Sequence, residues 1–348
     1  MILYTLLYLI SIIVSVFRNK RNIKFISAII IVLLAVFAGT RNEGLDNDYR
    51  EYVRLFSLSV SEGYQQGYEI IFYILPKLFF TLSSDSFVEL TFISFAFIGV
   101  SAKVIAIKQV SINFVLSILI YIGIFYLGHE FTTIRAGVAS GIFLLMLQDV
   151  VKNNRKAYFV KVAIALVFHY SSLLFIPIWF ILRSKLNIKY YYLILLISFV
   201  VVYINFNVLS LLNLEYLIPK VKVYTEIEDE LELNPFNFKM LISFLYLLIF
   251  MFFYKKGKND EWFVLLLKLH IISLTVFYLL AQASMAFSLR SFELLSIIQI
   301  LLLPYLINFA PTKLKTLGYL LIFSTSFLNF YYILYVSNNI KEYSSWLF

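Results

Sequence analysis

The sequence predicts an all-α polytopic membrane protein, and three observations carry that expectation. Of 348 residues, 61% are hydrophobic and only 14% charged. Mean hydropathy is +0.87. The apolar runs are continuous over roughly 15 to 22 residues, the length needed to approach or cross about 30 Å of hydrocarbon. A membrane β-barrel would instead show short strands of alternating polarity separated by regular turns, so helices are the spanning form expected here.

Charge sets the orientation. The formal net charge of +9 sits mainly in short connectors: Arg18, Lys20, Arg21 and Lys24; Lys152, Arg155 and Lys156; Arg183, Lys185 and Lys189; Lys255, Lys256 and Lys258; Lys313 and Lys315. Basic connectors are retained in the cytoplasm, which accounts for the charge without nucleic acid as a partner. The chain has no cysteine, so disulfides, thiolate chemistry and cysteine metal sites are excluded.

The elements follow in order. Residues 2–17 lack a basic leader and a small-residue cleavage site, and read as a retained helix starting outside. Residues 25–38 run outward into a first outer loop, 39–67, rich in Asp, Glu and Arg. The stretch 68–82 is apolar but short, with Pro76 and Lys77, and is read as interfacial or re-entrant. If it does not cross, Lys103 and Lys108 at the end of helix 87–107 fall inside. Helix 114–127 rises again and the helix containing Arg135 descends to Lys152, placing Arg135 in the outer half. Two short helices, 158–168 and 171–182, meet at His169, Tyr170, Ser171 and Ser172 in a hairpin tip that stops within the membrane. After 190–206 comes a second outer loop, 207–238, acidic through Glu226, Glu228, Asp229, Glu230 and Glu232, with an expected amphipathic element on the surface. Helices 240–254, 262–280, 290–308 and 315–335 follow, leaving 337–348 as an outer tail, for about twelve spans in one domain, 1–348. Arg290 and Glu293 lie one turn apart, where they can neutralise one another.

Polar groups at membrane depth cost several kcal/mol unless they line a wet cavity or meet a partner, so their positions are candidate sites. They gather at the expected outer side: Arg41, Asp46, Asp48, Tyr49, Arg50, His129, Glu130, Arg135, His169, Arg290 and Glu293. Convergent guanidinium forks suit phosphate and pyrophosphate oxygens, which points to an anionic, lipid-borne substrate. Neutral histidine, or a carboxylate such as Asp48, suits proton removal from an attacking sugar hydroxyl. The competing readings are structural: Arg135 paired with Glu130, His169 bonded to a backbone carbonyl, Arg290 paired with Glu293. Lys161, Lys268 and His270 are expected near inner helix ends, their polar heads reaching toward water. The aromatic content, 19%, fits interfacial belts and permits stacking on sugar rings.

Four segments in this order also carry a resemblance: GTRNEGLDNDYREYVRLF, TIRAGVASGIFLL, ALVFHYSSLLFIPIWF and LRSFELL. Over residues 39–305 the chain resembles the EpsG-like branch of the Wzy-type polysaccharide polymerases. It departs from that pattern at Ala136 and Gly137, where relatives often carry glutamine after the arginine. The resemblance implies a membrane glycosyltransferase-like (GT-C-like) fold at the periplasmic face of the bacterial inner membrane. It would join undecaprenyl-pyrophosphate-linked repeat units into O antigen, capsule or exopolysaccharide, with no cofactor and no metal. Arg135 and Arg290 would clamp pyrophosphate, with Arg41 as a third contact, and His169 or Asp48 would be the base. Tyr49, His129 and Glu293 complete the expected substrate contacts. Expected partners are lipid-linked oligosaccharides, membrane lipids and a chain-length regulator. The alternatives are a lipid-linked oligosaccharide flippase or transporter, which should show paired broken helices in two related halves, and an O-antigen-type ligase.

Overall fold

The computed structural model describes residues 1–16, 23–64, 67–184, 186–208, 234–337 and 339–347. Arg18, Lys20, Arg21, Lys185, the acids from Glu226 to Glu232 and the amphipathic element expected around them lie outside the described residues. Among the described residues the chain is helical without strands. In order the helices are α1 (Ile2–Val16), α2 (Ile23–Gly39), α3 (Tyr49–Ser61), α4 (Ile71–Leu82), α5 (Phe87–Val110), α6 (Phe114–Ile120) and α7 (Ile134–Val151). Then come α8 (Arg155–Phe168), α9 (Phe175–Arg183), α10 (Ile188–Tyr203), α11 (Phe238–Gly257), α12 (Glu261–Leu280), α13 (Met285–Ser296) and α14 (Lys315–Tyr331), with short turns between the last two.

Among the described residues, six helical stretches are long and apolar enough to cross a membrane: Phe87–Val110, Ile134–Val151, Phe238–Gly257, Glu261–Leu280, Met285–Phe309 and Thr312–Val336. Shorter apolar helices accompany them. On α2 the outward face carries Phe25, Ile29, Val32, Leu33 and Val36, all exposed, while Ser27, Leu34, Ala35 and Ala38 are buried. Such an apolar stripe at helical spacing needs lipid against it, so the protein is a multi-pass membrane protein.

Helix starts follow from local chemistry. Asn113, Asn154, Asn237, Asp260 and Ser284 each accept a backbone N–H in the first turn of the helix they precede. These short polar side chains satisfy donors that a helix start otherwise leaves open.

The chain forms two compact units, Met1–Phe175 with Leu303–Phe348, and Ile176–Leu302. In the first, Gly99 faces Val138 and Ala102 faces Gly141, so α5 and α7 run parallel at close range. The intervening return leg begins as α6 and continues through π-helical turns at Tyr121–Tyr126 and Gly128–Thr132. Helix α4, with 12 residues, rises about 18 Å, well short of about 30 Å of hydrocarbon.

Two features of this unit depart from the sequence reading, and a third adds to it. The outer loop 39–67 contains helix α3, whose Tyr49, Tyr52, Leu55, Phe56 and Ser59 recur at helical spacing and are buried. Lys103 is not at a helix end reaching water but is fully buried within α5. The tail does not stand free: Trp346 N–H donates to Thr40 O, Lys341 N–H to Leu45 O, and Ser344 O accepts from Asn42 N–H. Tyr343 stacks on Phe37 at 4.1 Å and lies edge-on to Tyr4 at 5.6 Å. The start of α1, the 40–47 loop and the tail therefore share one end of the unit.

In the second unit α10 packs on α12, and α12 on α13. His270, expected near water, is fully buried on α12 with Nε2 against Ser243 O at 3.0 Å. Gln299 donates to Ser243 Oγ at 3.2 Å. Lys268 donates to Leu186 O at 3.1 Å and sits over the Tyr191 ring.

Candidate functional site

Arg135 lies in the first turn of α7, and His169 ends α8 in extended backbone, φ −156° and ψ 117°, where the helix gives way to a 3-10 turn, Tyr170–Leu174. Between them stands Glu69, just ahead of α4. Its carboxylate, 1% exposed, accepts from Arg135 NH1 on Oε2 at 2.7 Å and from Tyr170 N–H on Oε1 at 3.3 Å. His169 Nδ1 is 3.5 Å from the same Oε1. The Arg135 guanidinium also lies over Phe72, 5.0 Å from the ring centroid, and Tyr52, at 5.9 Å. Tyr170 OH donates to Tyr68 O at 2.9 Å, tying the 3-10 turn to the strand of chain that carries Glu69. The structure thus joins two of the sequence candidates, Arg135 and His169, through a residue that sequence reasoning missed. The signal was present: an acid immediately before the apolar run of α4 breaks the membrane-depth rule as clearly as Arg135 does.

Arg135 keeps access to solvent, its side chain 23% exposed, and His169 14%. A narrow, partly open cleft with room for about one water lies alongside, lined by Leu55, Ser59, Tyr64, Tyr68, Glu69, Phe72 and Tyr73. One fixed cation, one imidazole and one shared carboxylate, beside a mainly aromatic wall, can hold an anion and accept a proton.

Arg41 is placed differently. It is 1% exposed, with Nε on Asp46 Oδ2 at 2.8 Å, NH1 on Ala38 O at 2.9 Å and NH2 on Phe131 O at 2.9 Å. Its guanidinium also sits over Phe92, 4.5 Å from the centroid. The sequence offers Arg41 as a pyrophosphate contact; the structure seats it as a pin between the 40–47 loop and the end of the return leg. Asp46 Oδ1 accepts Asp48 N–H at 3.1 Å, and Asp48, half-buried, precedes α3 as its cap residue. Tyr49 is buried and stacks on Phe92 at 4.5 Å. Burial pushes its phenol up to about 12, which keeps it neutral.

The alternative pairing of Arg135 with Glu130 is replaced by another. Glu130 accepts from Lys103 Nζ at 2.6 Å and Tyr121 OH at 2.7 Å, and Lys103 also donates to Gly137 O at 2.6 Å. Space on α5 suits this pairing: a Cβ at Gly99 would come within 2.6 Å of Glu130 Oε2, so the carboxylate occupies the room left one turn before Lys103. Gly137 is held by contact too, since a Cβ there would lie 2.2 Å from His129 O. His129 is buried, with Nδ1 3.1 Å from Ser140 Oγ.

Lys161 forms an ion pair with Asp149 instead of reaching water alone. Arg290 and Glu293 lie on α13 in the second unit. Arg290 is exposed, and Glu293 takes the ammonium of Lys239 from α11, a partner the sequence reading did not consider. Among the described residues no group of three His, Asp or Glu side chains is arranged to hold a metal ion.

Comparison with known proteins agrees with the motif order. The model of the EpsG family matches residues 24–345, nearly the whole chain. No curated protein and no solved structure matches it.

Proposed function

Since the chain belongs to the EpsG family, whose members are Wzy-like polymerases, we propose that it joins undecaprenyl-pyrophosphate-linked oligosaccharide units into a surface polysaccharide at the periplasmic face of the bacterial inner membrane. The observation that carries this reading is the buried Glu69 carboxylate holding Arg135 at 2.7 Å with His169 Nδ1 at 3.5 Å. An anion clamp and a proton acceptor are thereby held by one group, beside a cleft with aromatic walls.

Chain growth forms a bond from an acceptor sugar hydroxyl oxygen to the anomeric carbon of the donor. The bond from that carbon to the pyrophosphate oxygen breaks, and lipid pyrophosphate leaves with the electron pair. Arg135 meets the charge that develops on the leaving group, where a fixed cation in a poorly solvated site acts most strongly. His169 accepts the hydroxyl proton on Nε2, and the Glu69 anion beside Nδ1 stabilises the imidazolium so formed. Asp48, next to the Asp46 turn, is the alternative base. Arg290 takes its role as a second clamp from the motif order. Arg41, with its donors on Asp46, Ala38 and Phe131, holds the loop in place.

Gene deletion separates the readings. Loss of a polymerase leaves single repeat units attached at the surface. Loss of a ligase leaves polymer on its lipid carrier, and loss of a flippase leaves nothing outside. Single units are the expected result; either of the other outcomes overturns the proposal.

A further inference from the structure

Helix α7 begins without a side-chain cap, unlike the helices that follow Asn113, Asn154, Asn237, Asp260 and Ser284. Thr133, the residue before it, is non-helical, φ −97° and ψ 54°, so the chain bends where the π-helical leg gives way to the turn that carries Arg135. The restraint on this bend comes from outside. Arg41 NH2 donates to Phe131 O at 2.9 Å, Tyr52 OH to Thr132 O at 3.0 Å and Lys103 Nζ to Gly137 O at 2.6 Å. Arg41 and Lys103 each belong to an ion pair that is dry on both sides. Tyr52, on α3 and 4% exposed, differs in that it also faces the functional side chain. Its ring lies 5.9 Å from the Arg135 guanidinium and stacks at 5.8 Å on Phe72, which the same guanidinium covers at 5.0 Å. One phenol thus holds the backbone just ahead of Arg135 by its hydroxyl and walls the guanidinium by its ring, while Glu69 holds the far end at 2.7 Å. A cation fixed where charge develops reorganises little during the reaction, so groups that fix it act on rate without touching substrate.

We infer that Tyr52 is a positioning residue for Arg135: its hydroxyl anchors the bend at Thr132 and its ring confines the guanidinium, so the arginine meets the leaving pyrophosphate already oriented. The inference rests on the polymerase reading for the identity of that charge. The anchoring of Arg135 by Tyr52 stands on the contacts alone. A tyrosine that only holds helices together gives the comparison. Tyr8, buried in the same unit, donates its hydroxyl to Phe323 O at 3.2 Å and so ties α1 to α14.

The test uses the full-length protein in lipid nanodiscs and two measurements. Chain extension with lipid-linked repeat units, extracted from a strain lacking this gene, gives kcat and KM per folded molecule. Labelling with an arginine-directed dicarbonyl, read by mass spectrometry of the peptide carrying Arg135, reports the freedom of the guanidinium with no substrate present. Tyr52→Phe keeps the ring and removes the bond to Thr132 O. It should lower kcat about tenfold, the rate equivalent of one ordinary hydrogen bond. KM should stay close to wild type, because the restraint matters most where charge develops. Labelling of Arg135 should rise severalfold, and the thermal midpoint should hold. Tyr8→Phe, which loses the same kind of bond, should leave kcat, KM and labelling as in wild type. Unchanged labelling of Arg135 in Tyr52→Phe overturns the inference, as does a kcat near wild type or an equal fall in kcat in Tyr8→Phe. If wild-type protein makes no polymer while the labelling still responds to Tyr52→Phe, the polymerase reading falls and the anchoring of Arg135 stands.

Discussion

Replacing Glu69 by glutamine is the sharpest probe of the site, because the two side chains share a shape and differ in what they can accept. Both carboxylate oxygens are in use: Oε2 takes Arg135 NH1 at 2.7 Å, and Oε1 faces Tyr170 N–H at 3.3 Å and His169 Nδ1 at 3.5 Å. An amide offers one oxygen, so its NH2 group must point at one of these donors. Losing a hydrogen bond to a charged group costs about 1.5–3 kcal/mol. The full 3–5 kcal/mol of breaking a buried pair does not apply, because Arg135, 23% exposed, can turn to water. About 2 kcal/mol lost from transition-state binding corresponds to roughly a 30-fold slower reaction. The assay is the initial rate of chain lengthening in membrane vesicles supplied with lipid-linked repeat units, resolved by gel. Glu69→Gln should be about 30-fold slow at normal protein level, and Glu69→Asp, which keeps the charge, should recover part of the rate. In Glu69→Gln with Arg135→Ala, the loss should be smaller than the product of the two single losses, as for groups in one network. A Glu69→Gln rate within threefold of wild type would refute the reasoning and reduce Glu69 to a bystander.

Other parts of the structure give separate expectations. Arg135→Ala and Arg290→Ala should each leave the protein inserted yet abolish long-chain polymer, measured by immunoblot and by sugar-chain gels; normal chain length in both removes the proposed clamps. Arg41→Ala should instead lower the yield of folded protein, by about 3–5 kcal/mol as a broken buried pair, with rate per folded molecule close to wild type. Lys103→Met alone should destabilise strongly by stranding Glu130, whereas Lys103→Met with Glu130→Leu should recover most of the thermal midpoint in detergent; equal losses in both would show that the pair is not coupled. Deleting residues 339–347 removes the strap on the 40–47 loop and should raise hydrogen exchange at Asn42, whose N–H donates to Ser344 O. The absence of native cysteine makes single-cysteine labelling clean: Tyr64→Cys should react with an impermeant thiol reagent in intact cells, and Lys313→Cys should not.

What could be read from the sequence followed from terms that need no partner. Composition and run length give the membrane and the helices, because burial of an apolar stretch in lipid is decided by the stretch itself. The chain break at His169 and the position of Arg135 were legible for the same reason: a polar group in an apolar run is visible without knowing what it meets. Partner choice was not. Glu130 pairs with Lys103, 27 positions away, and lies beside Gly99, a matter of packing that the letters do not display. The π-helical turns add to the difficulty, since Tyr121 and Glu130, nine residues apart, meet at 2.7 Å, where an ideal α-helix would separate them by about 13.5 Å along its axis. Helix α3 was hidden by its charges: reading 39–67 for acids and arginines passes over the buried series from Tyr49 to Ser59.

Exposure then distinguishes among groups that look equivalent as letters. Three of the cation–carboxylate pairs in the first unit show the contrast, with side-chain exposures of 0% and 0% for Arg41 with Asp46, 0% and 1% for Lys103 with Glu130, and 23% and 1% for Arg135 with Glu69. A pair buried on both sides is closed to a ligand, since any substrate would have to displace a partner with no water to receive it. Such pairs fix which helices meet, and an apolar replacement of both members is often tolerated. A pair with a dry carboxylate and a wet cation has a different property. The carboxylate fixes the guanidinium from behind while leaving donors on the open side for an incoming anion, so the site is organised before substrate arrives and reorganises little when charge develops. On that ground Arg135 is the more open of the two first-unit arginines to an incoming anion, and Glu69 is what holds it so.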